Sequence, residues 1–238
     1  MVRVKICGIN DGAAMAAALA AGADMVGLVF FEPSPRHLTY DAAEALAAMA
    51  RGRAEIVALT VDADDARITA IAARIAPDLI QLHGRESPER VRAVATSTGC
   101  RTMKALGVST AADLAALDAY AGAADFVLLD ARPPKGADRP GGHGAVFDWA
   151  ILDRLDPSLP FMLSGGLTPD NVAEAIRRTR PYAVDVSSGV ERSPGEKAPA
   201  LIEAFVAAAR DAAGVGERHS TGASERDTAG LSDPRPRE

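Results

Sequence analysis

Short, β-branched apolar runs recur along this chain, most of them starting about 23 residues apart, and that interval constrains the fold more than any other feature. The runs are VRVKI from Val2, DMVGLVF from Asp24, EIVALTV from Glu55, DLIQL from Asp78, RTMKAL from Arg101, DFVLLD from Asp125, PFMLS from Pro160 and AVDVS from Ala183. A strand of about five residues, a helix of about eleven and two short loops fill one interval, which is the size of a βα unit. The segments between the runs carry Ala-rich helical patterns such as YDAAEALAAMAR and SPERVRAVATST, several opening on Asp, Ser or Thr as an N-cap, and TPDN sets Pro169 at the expected first helical position. Right-handed crossovers make such strands parallel, and eight units close a (β/α)8 TIM barrel. An open doubly wound sheet is the alternative, but it carries fewer strands and a GxGxxG turn after the first, where this chain has CGIN.

A chain of 238 residues suits one such barrel, expected over residues 1–212. The remainder, residues 213–238, runs almost without large apolar residues and is rich in Gly, Ser, Pro and charge, so it is expected to be a disordered tail. A net charge of -6 gives no electrostatic footprint for nucleic acid, and no stretch of about 18 apolar residues spans a bilayer. The start MVRVKICGIN has neither a long apolar core nor a small-residue cleavage site, and the expected location is the cytoplasm. Cys7 and Cys100 lie far apart in no CxxC spacing, which fits neither a disulfide framework nor a zinc site, and no metal is expected. Monomer and homodimer both stay open.

In a closed parallel barrel every strand's C-terminal end opens on one face, so the residues just after strands converge there. They are Cys7-Gly8, the segment from Phe31 to Arg36, His83-Gly84, Asp130, Gly165-Gly166 and Ser187-Ser188-Gly189. The loops after strands 7 and 8, LSGGLTPDNV and DVSSGVE, offer glycines and hydroxyls around backbone N–H groups, the means by which barrels hold phosphate. Taken singly, these glycines also read as tight turns and the serines as caps. Two such loops in adjacent units favour a small phosphorylated substrate.

The strings KICGI at Lys5, GLVFFEPSPR ending at Arg36, QLHG at Gln81, LLDARPP around Asp130, GGHGAVFDW at Gly141, LSGGL at Leu163 and DVSSGVE at Asp185 closely resemble the phosphoribosylanthranilate isomerase family of tryptophan biosynthesis. The resemblance runs in order from about Val2 to Phe205 and leaves the tail uncovered. It implies a rearrangement of an aminoaldose, N-(5-phosphoribosyl)anthranilate, to the aminoketose, with no cofactor, metal or redox change. Such chemistry needs an acid to protonate the furanose ring oxygen and a base to remove the proton from C2. The resemblance assigns Cys7 as the base and Asp130 as the acid.

Cys7 needs its thiolate, and a thiol with the ordinary pKa of about 8.5 is little ionised at neutral pH. Lys5, two residues earlier on the same strand face, is a candidate helper. Asp130 follows four apolar residues, whose desolvation favours the protonated acid. Arg36 is a bidentate clamp for the ring carboxylate or else a surface arginine after a Pro turn. His83 is a partner for Asp130 or substrate, or a satisfied strand-end polar residue. Gly165, Gly166, Ser187, Ser188 and Gly189 are the expected phosphate residues. His143 departs from the small hydroxyl residue usual at its place, Phe147 and Trp149 read as packing residues, and Cys100 reads as inert on the non-catalytic side. A sister phosphoribosyl barrel and a non-catalytic phosphosugar-binding barrel are the competing readings. The first is disfavoured by Cys7 in place of a strand-1 aspartate, the second by the intact Cys7 and Asp130 pair.

Overall fold

The computed structural model describes residues 1–131, 148–155 and 160–220, with side chains in the last helix as far as Ala212. Eight strands close into one parallel barrel in sequence order: β1 (Arg3–Cys7), β2 (Met25–Val29), β3 (Glu55–Thr60), β4 (Leu79–Leu82), β5 (Arg101–Val108), β6 (Phe126–Ala131), β7 (Phe161–Leu163) and β8 (Ala183–Val186). All eight expected strands are present, and β8 returns to pair with β1 in parallel register, Lys5 opposite Asp185. The helices are α1 (Gly12–Ala20), α2 (Tyr40–Ala50), α3 (Asp65–Ile75), α4 (Pro88–Thr98), α5 (Leu117–Tyr120), α6 (Val172–Thr179) and α7 (Pro199–Ser220).

Local chemistry sets the helix starts. Asp11, Thr39, Asp64 and Ser87 cap α1 to α4, each side chain accepting from a backbone N–H three residues on. The Ala-rich faces then pack close to the strands, where Ala14, Ala18, Ala43, Ala47 and Ala50 are buried in the main cluster between sheet and helices. Inside the barrel, alternate residues stack: Met25, Val57, Leu79, Met103, Leu128 and Met162 fill the middle, while Cys7, Val29 and Leu59 cluster above them. The interior is therefore a packed plug, and chemistry is confined to its upper mouth.

Several connections differ from expectation. The segment after β5 is a 3-10 helix (Ala111–Ala116) running into the single turn of α5, and after β6 a 3-10 helix (Trp149–Arg154) stands where an α-helix was expected. α6 starts at Val172 and not at Pro169, because Asn171 Oδ1 accepts from Thr168 N at 2.8 Å and closes a turn there first. A small antiparallel hairpin, β9 (Glu191–Ser193) and β10 (Glu196–Lys197), follows β8. The backbone of α7 continues to Ser220, past the expected tail boundary at 213, and residues 221–238 lie outside the described residues. His143 and Phe147 also lie outside them, whereas Trp149 is buried in the outer core as expected. Among the described residues no helix is long and apolar enough to cross a membrane.

Candidate active site

β1 delivers Cys7 to the mouth, buried, with Gly27 of β2 opposite it in register. Gly8 follows with a left-handed φ of 75°, and its N–H donates to Gly27 O at 2.9 Å. A side chain on Gly8 would collide with Arg36 Cδ and stand 3.1 Å from Ser187 Oγ. Glycine at this position thus lets the loops after β2 and β8 meet over the end of β1, beside Cys7.

Lys5, Asp185 and Lys197 act on that thiol electrostatically, and Arg36 and Glu191 join them through Lys197. Lys5 Nζ donates to Asp185 Oδ1 at 2.8 Å, and Asp185 Oδ2 accepts from Ser164 Oγ at 3.0 Å. Arg36 grips Glu191 through Nε and Nη2, both at 2.7 Å. Lys197, on β10, donates to Glu191 Oε1 at 2.7 Å and to the Ser187 carbonyl at 2.9 Å. Burial pushes the Cys7 thiol above its ordinary value, and the opposing pull of Lys5 and Lys197 does not offset it. Lys5 moves the other way: burial alone would lower it, but Asp185 and then Cys7 outweigh that penalty, so it holds its proton firmly. Glu191, penalised by burial, is nonetheless held below the usual carboxylate range by Arg36 and Lys197. Burial leaves Lys197 below an ordinary ammonium despite Glu191.

Across the mouth, Asp130 stands near the end of β6 and is buried. His83 follows β4, and its Nε2 lies 3.3 Å from Asp130 Oδ2 while its Nδ1 lies 2.8 Å from the amide nitrogen of Gln81, which is fully buried. The loop carrying His83 is tied from behind. Glu86 accepts from Gly84 N at 2.9 Å and Asp62 N at 2.9 Å, and buried Lys104 binds both Glu86 Oε2 at 2.8 Å and the Gly84 carbonyl at 2.7 Å.

The glycines of the last two loops have identifiable backbone reasons. Gly165 and Gly166 take φ values of 89° and 63°, and a Cβ on Gly165 would strike Ala131 N, next to Asp130. One on Gly189 would strike the Leu167 carbonyl, so the loops after β7 and β8 touch each other. Ser188 opens a one-turn 3-10 helix (Ser188–Val190) and is half-buried. Ser187, through its carbonyl and hydroxyl, is anchored on Lys197.

The structure thus gathers every sequence-derived site residue at one mouth. Arg36 differs in detail: the fork made by Nε and Nη2 belongs to Glu191, so its other edge, Nη1 and the second Nη2 hydrogen, lies outside that contact. Gln81, Glu191 and Lys197 were not singled out from sequence; Gln81 and Glu191 stood inside the quoted strings QLHG and DVSSGVE. Cys100 precedes β5 at the opposite end of the barrel, with Sγ 3.5 Å from Pro77 O. Among the described residues no group of three or more His, Cys, Asp or Glu side chains is placed to hold a metal ion.

A closed parallel barrel with a thiol, a carboxylate–imidazole pair and glycine loops at its C-terminal mouth defines a (β/α)8-barrel enzyme. The family model for N-(5'phosphoribosyl)anthranilate (PRA) isomerase matches residues 4–208. An N-(5'-phosphoribosyl)anthranilate isomerase of Rhodopseudomonas palustris is 60% identical over 207 residues, covering 87% of this chain and 95% of the relative. One from Nitrobacter hamburgensis is 55% identical over 218 residues, covering 92% and 96%. The crystal structure of phosphoribosyl anthranilate isomerase from Thermotoga maritima superposes with a TM-score of 0.79 at 35% identity, covering 89% of this chain and all of that one. A further structure of such an isomerase, in complex with reduced 1-(o-carboxyphenylamino)-1-deoxyribulose 5-phosphate, gives a TM-score of 0.75 at 34% identity, with 89% and 100% coverage. The chain belongs to the N-(5'-phosphoribosyl)anthranilate isomerase family, and it is an isomerase.

Proposed function

We propose that Cys7 is the general base and Asp130 the general acid with which this isomerase converts N-(5'-phosphoribosyl)anthranilate to 1-(2-carboxyphenylamino)-1-deoxyribulose 5-phosphate, a step of tryptophan biosynthesis. The observation that carries this reading is the order of elements around the barrel. Acid and base stand on β6 and β1, and the two glycine-bearing loops lie on β7 and β8, between them. A phosphate held by the backbone of Gly165, Gly166, Ser188 and Gly189 with Ser187 leaves its sugar flanked by Asp130 on one side and Cys7 on the other.

The steps follow from those positions. Asp130 gives its proton to the furanose ring oxygen, the ring C1–O bond breaks, and the nitrogen lone pair forms the C1=N bond of an iminium ion. The Cys7 thiolate then takes the proton from C2, and the released pair forms C1=C2 as the nitrogen is neutralised. The resulting enolamine tautomerises to the aminoketose, and solvent returns the proton from Cys7 to Asp130. Protons move and no net electrons do, so the reaction calls for neither cofactor nor metal. The free edge of Arg36 receives the anthranilate carboxylate. Two unpaired thiols suit a reducing cytoplasm, and the chain acts there as a monomer or homodimer.

A spectroscopic turnover assay on freshly generated phosphoribosylanthranilate tests the roles. Cys7→Ala and Asp130→Asn each lower kcat by about 10²- to 10⁴-fold, the range for one general acid or base, with smaller changes in KM. Wild-type kcat in either variant would overturn the corresponding role.

A further inference from the structure

The interior of β4 holds a polar side chain in a position that packing alone does not require. Gln81 is completely buried, in register with Leu59 of β3 and Met103 of β5. Its amide nitrogen lies 2.8 Å from His83 Nδ1. An amide nitrogen carries two hydrogens and no available lone pair, so it can only donate. Donation from that amide makes Nδ1 the accepting nitrogen of the ring and puts the imidazole proton on Nε2. His83 Nε2 stands 3.3 Å from Asp130 Oδ2.

We infer that Gln81 is a positioning residue for the reaction: by imposing the Nε2–H tautomer on His83, it keeps the proton of Asp130 free for the substrate. The argument rests on the acid role of Asp130 proposed above. Once Nε2–H closes on Oδ2 as the acid acts, the acidic proton resides on Oδ1 and leaves from there to the ring oxygen. The carboxylate then produced keeps its bond from His83, now charge-assisted and stronger, so the contact favours the state after transfer over the state before it. The opposite tautomer reverses this. A bare Nε2 accepts the O–H of Asp130 and holds back the proton that must reach the sugar. His83 itself touches the reacting proton in neither state.

The anchoring of the loop supports a requirement for orientation. Lys104 and Glu86 fix the backbone of the segment from Leu82 to Gly84, and Tyr120 Oη donates to the Glu86 carbonyl at 2.8 Å, so ring position is set by the backbone and ring protonation is left to Gln81. Such outer partners commonly orient an imidazole and select its tautomer.

The test combines a direct reading of the tautomer with kinetics. Two-dimensional ¹⁵N NMR of the histidine rings, with His83 assigned from the signal lost in His83→Asn, is expected to show the proton on Nε2 in the unmodified enzyme. Gln81→Glu replaces the donor by an acceptor, so His83 gains a proton on Nδ1, and kcat falls roughly 10- to 100-fold, within the range of one assisted proton transfer, while KM changes less than about threefold. Gln81→Met, nearly isosteric and unable to hydrogen-bond, gives a mixed tautomer signal and a similar loss. An Nδ1–H ring in the unmodified enzyme overturns the inference, as does wild-type kcat in Gln81→Met. If Gln81→Met does not fold, wild-type kcat in Gln81→Glu or an unchanged His83 spectrum in that variant overturns it equally. Failure of the acid assignment is separable, since it appears as wild-type kcat in Asp130→Asn whatever tautomer the ring shows.

Discussion

Gly27→Ala adds one methyl group at the place where β2 faces the proposed base. The new Cβ stands 2.9 Å from Cys7 Sγ, 3.0 Å from Cys7 Cα and 3.4 Å from Cys7 Cβ. Non-bonded carbon atoms settle at about 3.5–4.0 Å, so the strands or the cysteine must move by roughly 0.5–1 Å. The sulfur alone can rotate aside, but Cα belongs to a strand paired on both sides, with Gly27 itself accepting from Gly8 N and Ile9 N. Ala in place of Gly elsewhere gains about 0.4–1 kcal/mol through the unfolded chain, whereas overpacking a tight interior costs about 1–3 kcal/mol. Overpacking wins, and for a chain of this size the melting temperature drops by about 2–10 °C. A base displaced by about 1 Å lowers turnover by about 10²-fold, with KM little changed, because the phosphate loops are untouched. Stopped turnover assays and thermal melts read both quantities, and the double variant Cys7→Ala/Gly27→Ala should turn over no more slowly than Cys7→Ala alone. A Gly27→Ala enzyme with wild-type kcat and a raised melting temperature would refute the reasoning.

Two further expectations follow from the charges at the mouth. Because burial raises the Cys7 thiol, the thiolate fraction, and with it the rate, is still climbing at about pH 8.5, where an ordinary thiol is half ionised, and Cys7→Ala loses that dependence in a pH–rate profile. The same sign acts on stability. The folded state holds the proton more tightly than the unfolded chain, so Cys7 weakens the fold as pH rises through and above the ordinary thiol range, and melts of Cys7→Ala should be less sensitive to alkali there. Arg36→Ala raises KM for a substrate bearing the ring carboxylate with little change in kcat, and an analogue lacking that carboxylate loses little further affinity. It also lowers the melting temperature, since Glu191 loses its bidentate buried counter-charge.

The barrel was legible because two signals agreed: short apolar runs of strand length, and an interval that only a crossover helix fills. Where the structure departs from that pattern, a polar side chain outcompetes helix propensity. Asp113 accepts from both Ser109 N, at 3.0 Å, and Thr110 N, at 2.8 Å, and tightens the start of the next segment into a 3-10 turn. The hairpin of β9 and β10 is too short to leave any periodicity. The site was legible to the same degree. Cys7, His83, Asp130 and Ser187 end strands, and strand ends can be located from the runs. Gln81 read as one more interior position of a strand, and Glu191 and Lys197 acquire meaning only from Arg36, more than a hundred residues away in the chain. A pairing of that kind leaves no trace in local pattern.

The charges around Cys7 also explain how a thiol so deeply buried can ionise at all. Three buried cations, Lys5, Arg36 and Lys197, face two buried carboxylates, Asp185 and Glu191, and the thiolate is the third anion that brings the cluster to neutrality. Each lysine is hydrogen-bonded to a carboxylate, so neither donates its whole field to the sulfur, and burial keeps the thiol protonated at rest. That resting state suits the reaction. A thiol held above its ordinary pKa gives a scarcer but more basic thiolate, and removal of a proton from carbon gains from basicity as well as from population. The surplus cation prevents the scarcity from becoming prohibitive: without Lys197 the same burial would act on a thiolate that no remaining positive charge balances.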